Sequence, residues 1–180
     1  MARGVTRSLP QRRPNNDVPL AKPAESMSGI GNRSDGWSIY IHPLMQGQLD
    51  RLSESVARAQ RSNPEGWRHH PDARLLAMIT ELMFERIPRD PLAPSFRQGN
   101  TLGPERRHWF RAKFGGSRFR LFYRCDSAAK VIVYAWVNDR DTLRKQGAGS
   151  DPYAVFNAML SRGNPPDDLA GLLAASSPAG

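Results

Sequence analysis

Cysteine is nearly absent from this chain of 180 residues, in which Cys125 is the only one. A single thiol cannot form an internal disulfide, so we expect stability to come from a hydrophobic core. Long apolar runs are also missing, because no stretch approaches the roughly 20 residues that a membrane-spanning helix needs. The basic N-terminal segment has no apolar run behind it that would indicate a secretory signal. We therefore expect a cytoplasmic protein with no membrane partner.

Clusters of metal ligands and nucleophile motifs are absent from the sequence as well. The four histidines lack metal-binding spacing, and no group of cysteine, aspartate or glutamate residues joins them. The pair Gly115-Gly116 has the context of a turn and not of a phosphate-binding loop. We expect neither a metal nor another cofactor, so any catalysis has to use cations, amides and aromatic rings.

Positive charge is what the sequence has in excess. The formal net charge of +9 favours polyanionic partners such as nucleic acids or acidic proteins. Segment 97–124 concentrates this charge, with eight Lys/Arg residues against one acidic residue. Any single arginine there could merely cover apolar surface with its stem. A cluster of this density instead indicates an anion-binding surface.

Composition divides the chain into a body and two tails. Residues 1–35 lack apolar periodicity and contain six Lys/Arg against three Asp/Glu, which predicts a flexible basic tail. Residues 36–165 carry the periodic patterns of one folded domain. Residues 166–180 are rich in Pro, Ala, Ser and Gly, and we expect a loose C-terminal tail.

The body alternates between strand and helix patterns. The predicted elements are a strand at 37–41, helices over 43–61 and 72–87, strands at 108–114, 118–124 and 130–137, and a short helix over 153–161. This order predicts an α+β fold. We expect an antiparallel β-sheet with the N-terminal helix pair packed on one face and a short C-terminal helix.

The strand pattern also predicts how the charge is displayed. Side chains alternate across a strand, which places Arg111 and Lys113 on one face with Arg118, Arg120 and Arg124 of the next strand. The aromatic residues between them are expected to face the helices. One face of this hairpin is therefore predicted to present a cationic cluster.

These side-chain types suit RNA cleavage by transesterification. The RNA 2′-hydroxyl attacks the adjacent phosphorus, so the protein has to accept a proton, stabilise the phosphorane and assist the departing 5′-oxygen. Neighbouring cations favour the neutral, proton-accepting form of a lysine. Arginines contact phosphate with two donors at once.

Six segments of the chain resemble the YhaV toxins, a branch of the RelE-type bacterial toxin superfamily. They are residues 36–43 (GWSIYIHP), 111–115 (RAKFG), 118–124 (RFRLFYR), 136–139 (WVND), 142–144 (TLR) and 153–156 (YAVF). The resemblance runs from about residue 36 to residue 167. It implies a RelE-like fold and the toxin of a type II toxin–antitoxin system, an endoribonuclease that cleaves mRNA and inhibits translation.

The resemblance also implies partners. The expected antitoxin is of the PrlF (SohA) type, with an AbrB-like DNA-binding fold, and it neutralises the toxin. The complex is expected to repress its own operon, with operator DNA contacted through the antitoxin. The substrate is expected to be mRNA, either free or on the ribosome.

Catalytic roles follow from the same resemblance. Lys113 matches the general base, and Arg111 and Arg120 match the groups that stabilise the phosphorane. Arg144 or Arg140 is expected to hold the scissile phosphate or the leaving group.

Further substrate contacts are expected from Arg118, Arg124, Arg140, Asn138 and Tyr153. Related toxins stack a late tyrosine on the RNA base, but the aligned position here is Gln146. Tyr153 either replaces that tyrosine or belongs to the core contact of the last helix. The pair Asn138-Asp139 either orients a catalytic group or caps the turn after the strand.

Two alternative functions remain open on the sequence. The same superfamily includes ParE-type gyrase poisons, although these have no need of the lysine–arginine hairpin face. The chain could instead be a non-catalytic partner whose basic face receives an acidic antitoxin segment.

Overall fold

The computed structural model of the chain describes residues 33–140, 142 and 151–180. Most of the expected N-terminal tail lies outside these residues, and so does Arg144. The elements in chain order are β1 (Arg33–Ser34), β2 (Trp37–Ile41), α1 (Pro43–Ser62), α2 (Pro71–Glu81), a π-helical turn (Leu82–Arg86), α3 (Ile87–Arg89), β3 (Phe110–Phe114), β4 (Phe119–Asp126), β5 (Val131–Val137), α4 (Pro152–Ser161), α5 (Leu169–Ala174) and β6 (Ser177–Pro178). Short 3₁₀ turns occupy Trp67–His69, Pro94–Phe96 and Pro104–Arg106.

The strands form one mixed sheet with the order β1-β2-β5-β4-β3, and β6 pairs with β2. The β3–β4 and β4–β5 pairs are antiparallel, as expected for consecutive strands. The β2–β5 pair is parallel, with Ile39 opposite Ile132. The prediction of a purely antiparallel sheet is therefore wrong at this pair. Strand direction there is set by a long crossover through α1, α2, α3 and the β3–β4 hairpin, which local patterns do not encode.

Helices α1 and α2 cover one face of the sheet, and the α+β class with a helix pair on one face is confirmed. Both helices begin with the same His-Pro pair. The Nδ1 atom of His42 accepts a hydrogen bond from the Leu44 amide at 3.3 Å, and His70 caps α2 in the same way. Burial lowers the pKa of His42, which keeps its ring neutral and able to accept. Proline suits the first helical position because it has no amide hydrogen to leave unpaired.

Helices α4 and α5 cover the middle of the opposite face. Phe156 of α4 stacks on Phe122 with ring centroids 4.3 Å apart, and it contacts Trp109 edge-on at 5.0 Å. Trp136 stacks on the same Phe156 ring at 5.8 Å. A β-bulge lies between Phe122 and Tyr123 in the pairing of β4 with β5. The sheet thus has a second, aromatic core on the face that sequence alternation predicted to present a cationic cluster.

The C-terminal segment packs onto the domain, so the prediction of a loose tail at 166–180 is wrong. Leu172 in α5 is fully buried and Ala179 is nearly so. Asp168 caps α5 by accepting a hydrogen bond from the Gly171 amide at 2.7 Å. The composition misled because a few leucines at helical spacing bury enough apolar surface to anchor a short segment.

Candidate functional site

The predicted general base and its neighbouring arginine face each other across two strands. In the β3–β4 register, Lys113 lies directly opposite Arg120, and Arg111 lies opposite Phe122. Lys113 is exposed, whereas Arg120 is 0% exposed. We call Arg111, Lys113 and Arg120 the cationic triad. Lys113 is therefore accessible to a substrate, and Arg120 is buried next to Lys113.

Arg120 is held in place but is only partly satisfied. Its Nη1 donates to the Ser117 carbonyl at 2.6 Å, and its guanidinium lies 5.5 Å from the centre of the Tyr153 ring. Its Nε and Nη2 have no hydrogen-bond partner among the residues that the structure describes. Burying a guanidinium without partners is costly. Such a group is suited to an anion that supplies the missing acceptors.

Tyr153 joins the last helix to the cationic triad. It lies in the first turn of α4, which Asp151 caps by accepting from the Tyr153 amide at 2.9 Å. Its hydroxyl accepts a hydrogen bond from Arg111 Nε at 2.9 Å, and its ring meets Phe122 edge-on at 5.7 Å. The reading of Tyr153 as a core contact of the last helix is confirmed, because its ring packs on Phe122, and its hydroxyl also fixes a triad arginine. Stacking of Tyr153 on an RNA base stays a prediction.

Arg111 has a second fixed contact, because its Nη1 donates to the Ser95 carbonyl at 2.8 Å. Within residues 33–140, 142 and 151–180, every ion pair involves side chains other than the triad. The triad is therefore a concentration of positive charge that is oriented by neutral groups.

Asn138 supports Arg120 through the backbone, and its side chain is engaged in hydrogen bonds within the protein. It is 1% exposed, and its Oδ1 accepts a hydrogen bond from the Arg120 amide at 2.5 Å. Its Nδ2 donates to the carbonyls of Arg118 and Thr142 at 3.2 and 3.0 Å. Asp139 Oδ1 meanwhile accepts from the Thr142 amide at 3.0 Å. The Asn138-Asp139 pair therefore both positions a triad arginine and caps a turn. The expected substrate contact of Asn138 stays a prediction.

Arg118 and Arg140 lie away from the triad. The strand begins at Phe119, so Arg118 belongs to the turn after β3 and does not continue the alternation. Positive φ at Gly115, Gly116 and Ser117 makes this turn possible. Arg118 and Arg140 both line a depression next to α2, where Arg140 pairs with Asp72 at 2.9 Å. The prediction that Arg118 shares the hairpin face with the triad is wrong.

Arg124 binds the C-terminal segment. Its Nη1 donates to the Asp167 carbonyl, and its guanidinium lies 5.8 Å from the centre of the Trp109 ring. Burial lowers its pKa. These contacts place Arg124 at the far end of the hairpin from Lys113, in a structural role.

Asp167 is a structural anchor that the sequence analysis did not identify. Its carboxylate accepts hydrogen bonds from Trp109 Nε1 at 2.7 Å, His108 Nε2 at 2.8 Å and Arg106 Nε at 3.3 Å. Burial alone would raise the pKa of Asp167, but the bonds from Trp109, His108 and Arg106 hold that pKa below its ordinary value. No local pattern marks this residue, because its partners lie about 60 positions earlier in the chain.

In the part of the chain that the structure describes, no three His, Cys, Asp or Glu side chains are grouped so that they could hold a metal ion. In the same residues, no helix combines the length and apolar character required to cross a bilayer.

Comparison with known proteins identifies the family. Residues 39–177 match a family described as a toxin with endonuclease activity, of a toxin–antitoxin system, the YhaV toxins. The ribonuclease toxin YhaV of Escherichia coli K12 is 40% identical over 137 residues, covering 76% of this chain and 89% of that protein. Toxin YhaV of Escherichia coli O157:H7 matches to the same extent. A chain of the toxin–antitoxin complex RelBE2 of Mycobacterium tuberculosis is 25% identical, with a TM-score of 0.38, and covers 58% of this chain and 98% of that chain.

This chain belongs to the YhaV family of toxin–antitoxin toxins. Membership in a toxin–antitoxin family implies an antitoxin partner.

Proposed function

We propose that this protein is a cytoplasmic, metal-independent endoribonuclease toxin that cleaves mRNA and thereby inhibits translation. The observation that carries the proposal is the pair formed by exposed Lys113 and buried Arg120. In this pair, the Nε and Nη2 donors of Arg120 have no hydrogen-bond partner among the described residues. Family membership supports the same reading, because the family is described by endonuclease activity.

The reaction we propose is transesterification at an RNA phosphate. Lys113 Nζ accepts the proton of the 2′-hydroxyl while the 2′-oxygen bonds to phosphorus. Arg111 and Arg120 stabilise the negative charge of the phosphorane, a task for donors that are already oriented. The P–O5′ bond then breaks, and the departing 5′-oxygen takes up a proton from solvent. The products are a 2′,3′-cyclic phosphate and a 5′-hydroxyl.

The proposal also assigns roles to two residues outside the triad, Arg144 and Tyr153. Arg144, which lies outside the described residues, is proposed to hold the scissile phosphate or the leaving group. The ion pair of Arg140 with Asp72 supports Arg144 over Arg140 for this task. Tyr153 is proposed to keep Arg111 in position through its hydroxyl.

The partners we propose follow the family. The antitoxin is of the PrlF (SohA) type with an AbrB-like fold, and its complex with the toxin represses the operon by contacting operator DNA. The basic hairpin is also suited to an acidic antitoxin segment, which would cover the triad and block RNA.

The proposal is tested by primer extension on cellular mRNA after brief induction. We expect discrete new 5′ ends with the wild-type chain and none with Lys113→Ala. Lys130→Ala is the matched control, because Lys130 is an exposed lysine in the turn before β5, at the other end of the sheet. Growth arrest without new 5′ ends would overturn RNA cleavage and favour a gyrase poison.

A further inference from the structure

A second cationic surface lies around the tip of the β3–β4 hairpin. Arg74 of α2, Arg118 of the turn and Arg140 after β5 line a cavity of about 400 Å³. Leu75, Met78 and Phe119 contribute apolar side chains to the same cavity. We call this cavity the arginine groove.

The arginine groove and the cationic triad lie on opposite sides of the hairpin tip. Lys113 and Arg120 form the next-to-last pair before the hairpin tip. Arg118 precedes Arg120 by two positions, so a strand that leaves the triad around the tip reaches the groove first at Arg118. At the tip, a Cβ on Gly115 would lie 2.7 Å from the Phe119 ring and 3.9 Å from Met78 Cε. The turn that ends the triad is therefore also a wall of the groove.

The charge of the groove is largely uncompensated. Arg140 pairs with Asp72, whose other oxygen accepts from the Ser55 hydroxyl at 2.5 Å. Arg74 approaches the His69 ring at 3.3 Å, and Arg118 donates to the Gly115 carbonyl at 3.3 Å. Neither Arg74 nor Arg118 has an ion pair with a carboxylate among the described residues. Two exposed guanidinium groups are thus open to an anionic partner.

The chemistry of the groove suits a single strand of nucleic acid. Guanidinium groups contact phosphate with paired donors, and an apolar floor accepts the face of an unstacked base. An acidic protein segment shares the charge, but the apolar side chains beside the arginines favour a ligand that carries flat bases as well as phosphates. We propose that the arginine groove binds single-stranded RNA that flanks the phosphate cleaved at the triad, an inference that rests on the proposed function.

Binding of labelled RNA to the full chain tests the groove without relying on cleavage. The probe is a twelve-nucleotide strand carrying 2′-O-methyl groups, which lack the attacking hydroxyl, and fluorescence anisotropy is followed over a range of salt concentrations. We expect Arg74→Ala to weaken binding by about threefold to tenfold. The slope of log affinity against log salt should fall by about 0.7, the value for one lost phosphate contact on a single strand.

The matched control is Arg86→Ala, which removes an exposed arginine from the π-helical turn beyond α2. This control should keep both the affinity and the salt slope of the wild type. A trinucleotide competitor should displace the long strand more easily from Arg74→Ala than from the wild type.

Two outcomes would overturn the inference. In one, Arg74→Ala keeps the wild-type affinity and salt slope. In the other, RNA binding is unchanged but the co-expressed antitoxin no longer neutralises the variant, which assigns the groove to the antitoxin. If RNA binds through the groove but unmodified RNA is never cut, RNA binding by the groove is confirmed and the proposed ribonuclease function is wrong.

Discussion

At the scale of single residues, Arg120 has the features of a residue that serves function and not stability. It faces another cation across the strands, where an opposite charge would stabilise the sheet. It is also fully buried, with two donors that lack partners among the described residues. A residue chosen only for stability would avoid both features.

Replacing Arg120 by methionine should therefore separate activity from stability. Methionine fills similar space without a charge, so we expect the free energy of unfolding to change by less than about 1 kcal/mol. Cleavage should fall by about 100-fold or more, as when an oriented donor to a transition-state oxyanion is removed. Urea unfolding and single-turnover cleavage measure the two quantities. A variant destabilised by several kcal/mol would show that Arg120 is a structural residue.

At the scale of elements, the hairpin tip sets the geometry of both cationic surfaces. Gly115, Gly116 and Ser117 have φ values of 57°, 65° and 61°. This turn directs Arg118 toward α2 while Arg120 points to the opposite face. A regular two-residue turn would have kept all the arginines on one face, as strand alternation alone predicts.

The two tip glycines should differ in their response to alanine. Both have positive φ, so each substitution is expected to cost about 1 kcal/mol from backbone strain. A Cβ at Gly115 also clashes with the buried Phe119 ring, whereas one at Gly116 has nothing within 4 Å. We expect Gly115→Ala to be more destabilising than Gly116→Ala by about 1 kcal/mol or more in urea unfolding. Equal effects would show that the ring moves freely.

Much of the element list could be predicted from the sequence, because helix and strand periodicities are local. The strand Trp37–Ile41 and the helix from Pro43 match their predicted limits, apart from one residue at the helix end. The parallel pairing of β2 with β5 could not be predicted, since it joins residues about 90 positions apart. The burial of Arg120 could not be predicted from the sequence either, because it depends on the packing of α4 over β4.

At the scale of the whole molecule, the C-terminal segment closes the second face of the sheet. Asp167 anchors it by accepting hydrogen bonds from Trp109, His108 and Arg106. Its carbonyl also accepts from Arg124. These contacts fix the C-terminal segment against β4 and the residues that precede β3, and so help to hold α4 over the cationic triad.

The Asp167 contacts should make stability depend on pH. The pKa of Asp167 is lowered in the folded state. Its contribution to the free energy of unfolding is therefore fully present above the pKa of Asp167 in the unfolded chain. That contribution is lost as the pH falls through the lower pKa of the folded state. We expect Asp167→Asn to cost about 1 to 2 kcal/mol near neutral pH, a value reduced by partial exposure. This difference from the wild type should shrink below about pH 4.

Urea unfolding at both pH values measures this dependence, with Asp50→Asn as the control on exposed α1 surface. A difference between wild type and Asp167→Asn that stays constant on acidification would contradict a charge-based anchor.

The central claim is that oriented cations cleave RNA by transesterification without a metal. The chemical nature of the fragment ends, produced by the purified chain in excess EDTA, tests this claim most directly. The account predicts undiminished cleavage that leaves 2′,3′-cyclic phosphate and 5′-hydroxyl ends. Fragments with 5′-phosphate ends, or cleavage abolished by EDTA, would contradict it.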